Sequence, residues 1–176
     1  MLTLPPIPSW QAIHPLVVHF PIALLLIAPL FIVIGVMLKP ARSFPFLLAA
    51  LFLMALGTVS TFVAASSGEA AGELIENSPQ TKAVLEQHEE LAEIAEIAFS
   101  ALTLIFASIL FVPKLLKREP TRAISTILPL VFLVFYATGA ITLANTAHQG
   151  GRLVHELGAR AQMLPGAVVI KAADTE

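Results

Sequence analysis

The fold is decided by residues 16–38, LVVHFPIALLLIAPLFIVIGVML, which contain no Asp, Glu, Lys or Arg. About 20 apolar residues in an α-helix cross a bilayer core of about 30 Å, because the helix satisfies its own backbone N–H and C=O groups where water is absent. Three later stretches have the same character, at residues 44–65, 91–112 and 123–147. The sequence therefore predicts an all-α protein, a polytopic membrane four-helix bundle.

The composition of the chain agrees with a membrane protein. Of its 176 residues, 57% are hydrophobic and 12% are charged, whereas a soluble domain carries about 25% charged residues. The net charge of -2 offers no basic excess for a phosphate backbone, so nucleic-acid binding is excluded. The absence of cysteine excludes disulfides, iron–sulfur clusters and covalently attached c-type haem, and leaves histidine and carboxylate as ligands.

The charges of the connecting segments predict the orientation in the membrane. The link containing Lys39 and Arg42 and the link over residues 113–122 are short and cationic, whereas residues 66–90 carry six Glu against the single Lys82. By the positive-inside rule, the two cationic links face the cytoplasm. The middle link and both termini are then expected outside, in a bacterial inner membrane. The first helix is expected to be retained, because residues 1–13 lack the cationic start of a signal peptide.

The sequence shows no convincing repeat, so one four-helix domain is predicted over residues 1–158, followed by a tail over residues 159–176. The third helix is predicted from Pro79 to Lys117, because Ser78 and Pro79 are a favourable cap and first residue. The fourth is expected to continue beyond its span, with Gly158 as its stop.

The topology assigns every histidine to the outer side, and these are His14, His19, His88, His148 and His155. Ionisable groups also collect at interfaces because the hydrocarbon is costly for them, so the clustering alone has two explanations. His14 and His19 are five residues apart, yet Pro21 is expected to kink the helix and allow both to point inward. His148 and His155 lie on one face about 10 Å apart, so at most one of them shares a centre with another histidine.

Small residues and carboxylates lead towards these histidines. One stripe consists of Gly57, Thr61, Ala64, Gly68 and Gly72, and another of Tyr136, Ala140 and Ala144 leading to His148. Such stripes serve close helix packing or leave room for a flat ligand edge. Glu69 and Glu73 share one face. Glu93 and Glu96 are partners that hold the histidine tautomers, members of a proton path, or residues at headgroup level.

Three stretches resemble a known family. They are HPLVVHFPIALLL at 14–26, SGEAAGE at 67–73 with HEE at 88–90, and AHQGGRLV at 147–154. Together they resemble a large family of bacterial four-helix membrane proteins described as domain of unknown function 2231. The resemblance implies four spans and identifies the family's recurrent histidines as His14, His19, His88 and His148.

One departure concerns the last of these stretches. The family usually continues as LVYxHG, whereas this chain has LVHELG, with His155 in place of Tyr and Leu157 in place of His. Relatives are sometimes fused to cytochrome c or Rieske domains, which associates the family with electron transfer without giving a mechanism.

These observations support three hypotheses. The first is a b-type haem held by His19 with His88 or His148, with His14 as a further candidate ligand, in electron transfer with a quinone or a periplasmic redox protein. The second is a Zn, Cu or Fe ion held by three or four of the five histidines with Glu69, Glu73 or Glu89. The third is a cofactor-free structural subunit of a membrane assembly, such as a homo-oligomer of this chain. In each case the chain is expected to be an electron carrier or a binding subunit rather than a stand-alone enzyme.

Overall fold

A computed structural model of the protein describes residues 8–75, 78–118 and 121–159. The helices in these ranges are a 3₁₀ turn at Gln11–Ile13, α1 at His14–Val17, α2 at His19–Met37, α3 at Pro40–Gly72, α4 at Pro79–Leu115 and α5 at Arg122–His155. Four of its helical segments are long and apolar enough to cross a membrane, namely Gln11–Met37, Arg42–Gly72, Pro79–Leu115 and Ile124–His155. The predicted all-helical architecture with four spans is confirmed, and the predicted tail from residue 160 onward lies outside the described residues.

The long helices form a four-membered ring. α2 packs against α3 and α5, and α4 packs against the same two helices, so α2 and α4 lie diagonally opposite each other. The core contains fully buried apolar side chains from all four, such as Leu25, Met54, Phe99 and Tyr136. Large apolar side chains on the outward faces remain exposed, as lipid-facing surfaces require.

The ends of the last two helices follow local rules. Ser78 Oγ accepts a hydrogen bond from the Thr81 N–H at 3.1 Å, which confirms the predicted start of α4. The predicted end at Lys117 is wrong: α4 stops at Leu115, because Lys117 has a left-handed φ of 50° that a right-handed helix excludes. Gly158 has a φ of 61° just after α5, in agreement with its predicted role as a stop.

A proline in α2 creates a contact with α5. Pro29 has no N–H to donate to the carbonyl of Leu25, one helical turn earlier. Tyr136 Oη donates to that carbonyl at 2.6 Å, and the Tyr136 side chain is 1% exposed. The hydroxyl therefore replaces the missing helical hydrogen bond and links α5 to α2 inside the apolar core.

Removal of this hydroxyl is expected to destabilise the bundle. The variant Tyr136→Phe keeps the ring packing against Phe99 and Phe132 but leaves the Leu25 carbonyl buried without a donor. We expect the free energy of unfolding to fall by about 1–3 kcal/mol. Unfolding in mixed detergent micelles, followed by circular dichroism, measures it. The control Thr138→Val removes only an exposed bond within one helix and is expected to stay within about 0.5 kcal/mol of the parent. Equal unfolding of Tyr136→Phe and the parent would contradict the expectation.

Candidate cofactor-binding cavity

A cavity of about 570 Å³ lies at the end of the bundle where α1 meets the end of α3, the start of α4 and the end of α5. This volume falls within the range of about 300–1,000 Å³ that is usual for small-molecule sites. The cationic links are at the other end, because they join α2 to α3 and α4 to α5. Among the described residues, the cavity wall contains no Lys or Arg, and its ionisable members are His14, Glu69, His88, Glu89, Glu93 and Glu96.

His14 is fixed to the neighbouring helix α3. Its Nδ1 lies 2.9 Å from the carbonyl oxygen of Ala64. Since a carbonyl only accepts, Nδ1 carries the proton and donates it. Ser67 Oγ, whose residue is fully buried, lies 3.3 Å from the same nitrogen. The ring orientation is therefore set by the backbone of α3.

His88 is fixed in the same manner to α5. Its Nδ1 donates to the carbonyl oxygen of Thr146 at 2.8 Å. Both imidazoles thus use Nδ1 for a backbone hydrogen bond. This leaves the lone pair of Nε2 available in each neutral ring. A hydrogen bond from the other ring nitrogen to a backbone carbonyl is the usual support of a metal-ligating histidine.

The two free nitrogens open into accessible space. Within residues 8–75, 78–118 and 121–159, Nε2 of His14 and Nε2 of His88 have no hydrogen-bond partner, and no buried side-chain nitrogen or oxygen is left unsatisfied. Both Nε2 atoms are therefore reachable rather than sealed in the core. Both rings line the same cavity. The structure thus places two imidazoles from diagonally opposite parts of the bundle at one cavity.

A glycine lies against each imidazole. A Cβ atom built on Gly68 would lie 2.7 Å from Cε1 of His14, and one built on Gly150 would lie 3.1 Å from Cε1 of His88. Each glycine follows the accepting carbonyl by four residues, about one helical turn. The same local arrangement of histidine, carbonyl and glycine therefore occurs twice. It occurs once in the first helical hairpin, formed by α1, α2 and α3, and once in the second, formed by α4 and α5.

This duplication extends through the core, although the sequence itself shows no convincing repeat. His14 recurs 74 residues later as His88, and the buried residues Pro21, Leu25, Ala28 and Ile32 of α2 recur with the same offset as Ala95, Phe99, Leu102 and Phe106 of α4. Between α3 and α5 the offset is 82 residues, which pairs Ala50 with Phe132, Met54 with Tyr136, Gly57 with Gly139, Ala64 with Thr146 and Gly68 with Gly150. Most paired residues differ in type, because packing needs a fitting apolar volume rather than one amino acid. The repeat is therefore visible in the positions of buried residues and of the histidine–carbonyl contacts, and not in the residue types.

The expected pairing was His19 with His88 or His148, whereas the histidines that line the cavity are His14 and His88. His19 is exposed and lies outside the cavity wall. The chain does break between α1 and α2 at Val18, but the residue keeps helical angles of φ -60° and ψ -25°. A spacing of five residues therefore still separates His14 and His19 by about 140° around the axis. The expected inward turn of both side chains does not occur.

His148 and His155 are also exposed and outside the cavity wall. Each step of four residues advances about 40° beyond a full turn, so three steps from Tyr136 carry His148 about 120° away from the buried face. The buried face of α5 instead follows alternating spacings of three and four through Gly139, Leu143 and Thr146. The stripe through Ala140 and Ala144 therefore leads away from the core.

The stripe of small residues on α3 serves both predicted purposes, close helix packing and room for a ligand. Gly57 gives close packing, since a Cβ there would lie 2.7 Å from Cγ of Leu25. Thr61, Ala64, Gly68 and Gly72 line the cavity.

Of the predicted carboxylates, Glu69 and Glu89 line the cavity, and Glu73 is exposed outside its wall. Glu93 and Glu96 also contribute to the wall, and Glu96 is half-buried. Among the described residues, no three His, Asp or Glu side chains are grouped to hold a metal ion. No sequence signal points to the carbonyls of Ala64 and Thr146, since any residue supplies a carbonyl.

These features define a class: a four-helix membrane protein with two backbone-anchored imidazoles at one cavity. The model of a family described as predicted membrane protein, DUF2231, matches residues 11–163. The chain belongs to this family, which confirms the resemblance, and the matched range includes both imidazoles and all four long helices. Neither the curated proteins nor the solved structures contain a match to this chain.

Proposed function

We propose that the protein binds one b-type haem in this cavity, with His14 and His88 as axial ligands, and that it carries electrons. The observation that carries the proposal is the paired arrangement of the imidazoles. Each is fixed through Nδ1 to a backbone carbonyl, and both residues line the same cavity. Haem iron in electron-transfer proteins takes two axial ligands from the protein, and imidazole is the commonest of them.

The dimensions of the cavity favour haem over a bare metal ion. A zinc site uses three or four protein ligands, whereas the paired arrangement offers two. A porphyrin brings four nitrogens of its own and needs only the axial pair. The volume of about 570 Å³ suits an organic ligand. The close approach of Gly68 and Gly150 to the two rings keeps side-chain bulk away from the imidazoles.

The distribution of charge supports an outward-facing site. Lys39, Arg42, Lys114, Lys117 and Arg118 all belong to the end opposite the cavity. Under the positive-inside rule, that end is cytoplasmic and the cavity faces the outside of a bacterial inner membrane. The bound haem would supply one-electron chemistry, exchanged with a quinone of the membrane or with a redox protein on the outer side. His14 and His88 would hold the iron, and their bonds to the Ala64 and Thr146 carbonyls would increase the basicity of Nε2.

The absorption spectrum of the full chain, purified in mild detergent, tests the proposal. We expect a Soret band, the sharp visible bands of reduced low-spin haem, and one haem per chain in a haemochrome assay. Stoichiometric Zn, Cu or Fe without a Soret band would overturn the proposal in favour of a metal-ion site. Protein with neither haem nor metal after expression with added haem precursor would overturn it in favour of a cofactor-free structural subunit.

A further inference from the structure

The carboxylates of the cavity wall break the internal repeat. The positions equivalent to Glu89, Glu93 and Glu96 in the first hairpin are Pro15, His19 and Ile22, and the position equivalent to Glu69 in the second hairpin is Gly151. All four carboxylates therefore come from α3 and α4, and the equivalent positions on α1, α2 and α5 carry none. Since both imidazoles are anchored identically, the carboxylates are not needed to hold them. They make the α3 and α4 side of the cavity acidic.

Glu96 is the carboxylate placed furthest along α4 from the aqueous end. It lies two helical turns beyond His88, is half-buried and lines the cavity. The ion pairs within the described residues are Lys82–Glu86 and Arg152–Glu156, and neither includes Glu96. An ionised carboxylate is costlier the further it lies from bulk water, and Glu96 is the one of these four carboxylates that is not exposed.

The other ionisable groups of the cavity wall lie on α1, α3 and α4. Glu89 and Glu93 are on α4 itself, and Glu69 faces the cavity from α3. His14 contributes from α1 and His88 from α4, while the cavity-lining residues of α2 and α5 add no ionisable group. Glu93, one turn earlier on α4, opposes a negative charge on Glu96, and a cation at the centre of the cavity would favour that charge.

We propose, resting on the haem site above, that Glu96 takes up one proton when the haem is reduced. Ferric iron with the dianionic porphyrin has one net positive charge, which one electron removes. Glu96 would then lose an attractive charge while the repulsion from Glu93 remains, so its affinity for a proton would rise. A hydroquinone that gives up one electron and one proton becomes a neutral semiquinone. The haem held by His14 and His88 would take the electron, and the Glu96 carboxylate would take the proton. On oxidation, the electron would pass to a redox protein and the proton to the water at this end of the bundle. Electron transfer by the protein is thereby coupled to proton transfer on one side of the cavity.

Potentiometric titration of the haem at several pH values tests this coupling. We expect the midpoint potential of the parent to fall as pH rises, with a slope approaching about 59 mV per pH unit for one proton per electron. In Glu96→Gln the slope is expected to flatten, and the potential at high pH is expected to exceed that of the parent, because a negative charge is lost. The matched control is Glu73→Gln, an exposed carboxylate outside the cavity wall, which is expected to keep the slope of the parent.

A second measurement uses the parent protein alone. In the reduced-minus-oxidised infrared difference spectrum, we expect a band of a protonated carboxyl group that shifts in D₂O. A haem-containing protein with a pH-independent potential and no such band would overturn the coupling and leave the haem site intact. An unchanged slope in Glu96→Gln would overturn the assignment to Glu96. The absence of a Soret band would overturn the haem site and this inference together.

Discussion

Replacement of either His14 or His88 by Ala is expected to abolish the low-spin haem spectrum. Each variant would leave the proposed haem with one protein ligand, and the carbonyl of Ala64 or Thr146 would lose its imidazole donor. We expect haem retained through purification to fall at least about tenfold, which corresponds to about 1.4 kcal/mol or more of binding free energy. Absorption and electron paramagnetic resonance spectra measure the amount and the spin state. The repeat predicts similar losses for the two variants.

The other histidines provide matched controls on the same chain. His19→Ala, His148→Ala and His155→Ala each remove an imidazole that is exposed and outside the cavity wall. We expect all three to keep the spectrum of the parent. Retention of low-spin haem in His14→Ala, together with its loss in His19→Ala or His148→Ala, would contradict the structural pairing and restore the pairing that the sequence alone favoured.

Gly68→Ala is expected to weaken haem binding without removing a ligand. The new Cβ would lie 2.7 Å from Cε1 and 3.0 Å from Nδ1 of His14. The ring has little freedom to yield, because Nδ1 is bonded to Ala64 on the same helix as Gly68. The imidazole must shift and lengthen that bond, and disturbed supporting partners typically reduce metal affinity about 10- to 100-fold. Haem titration of the apoprotein measures the loss.

Two further glycines make this a graded experiment. A Cβ on Gly150 would meet Cε1 of His88 at 3.1 Å, so Gly150→Ala is expected to have a smaller effect in the same direction. A Cβ on Gly151 has no heavy atom within 4 Å, so Gly151→Ala is expected to bind haem as the parent does. Equal haem affinity in all three variants would show that the imidazole positions are not set by these contacts.

Histidine placement shows how far local sequence rules extend. The sequence correctly predicted four spans and the start of α4, because apolar length and capping are local properties. It selected His19 and His148 from their position near the ends of spans and from the resemblance. Whether a side chain points inward depends on rotation about the helix axis, which drifts by tens of degrees over a few residues. A small error in the predicted rotation of a helix about its axis therefore moves a histidine from the cavity to the lipid-facing surface.

The duplication was not predicted for a related reason. Each half repeats burial and backbone contacts, whereas the residues that fill the repeated positions differ, such as Leu25 and Phe99 or Ala64 and Thr146. A carbonyl acceptor has no sequence signature, and packing accepts many apolar residues of suitable volume. The carboxylates that depart from the repeat become informative only after the two hairpins have been aligned by their contacts.

The sequence by itself determined that this chain spans a membrane four times and that its histidines gather at one end, since hydrocarbon excludes charge and unsatisfied backbone. Only the tertiary structure decided that His14 and His88 share a cavity. That outcome depends on the rotation of each helix and on hydrogen bonds between residues 50 and 58 positions apart in the chain. Such contacts are fixed by the packing of whole helices, which no short stretch of sequence specifies.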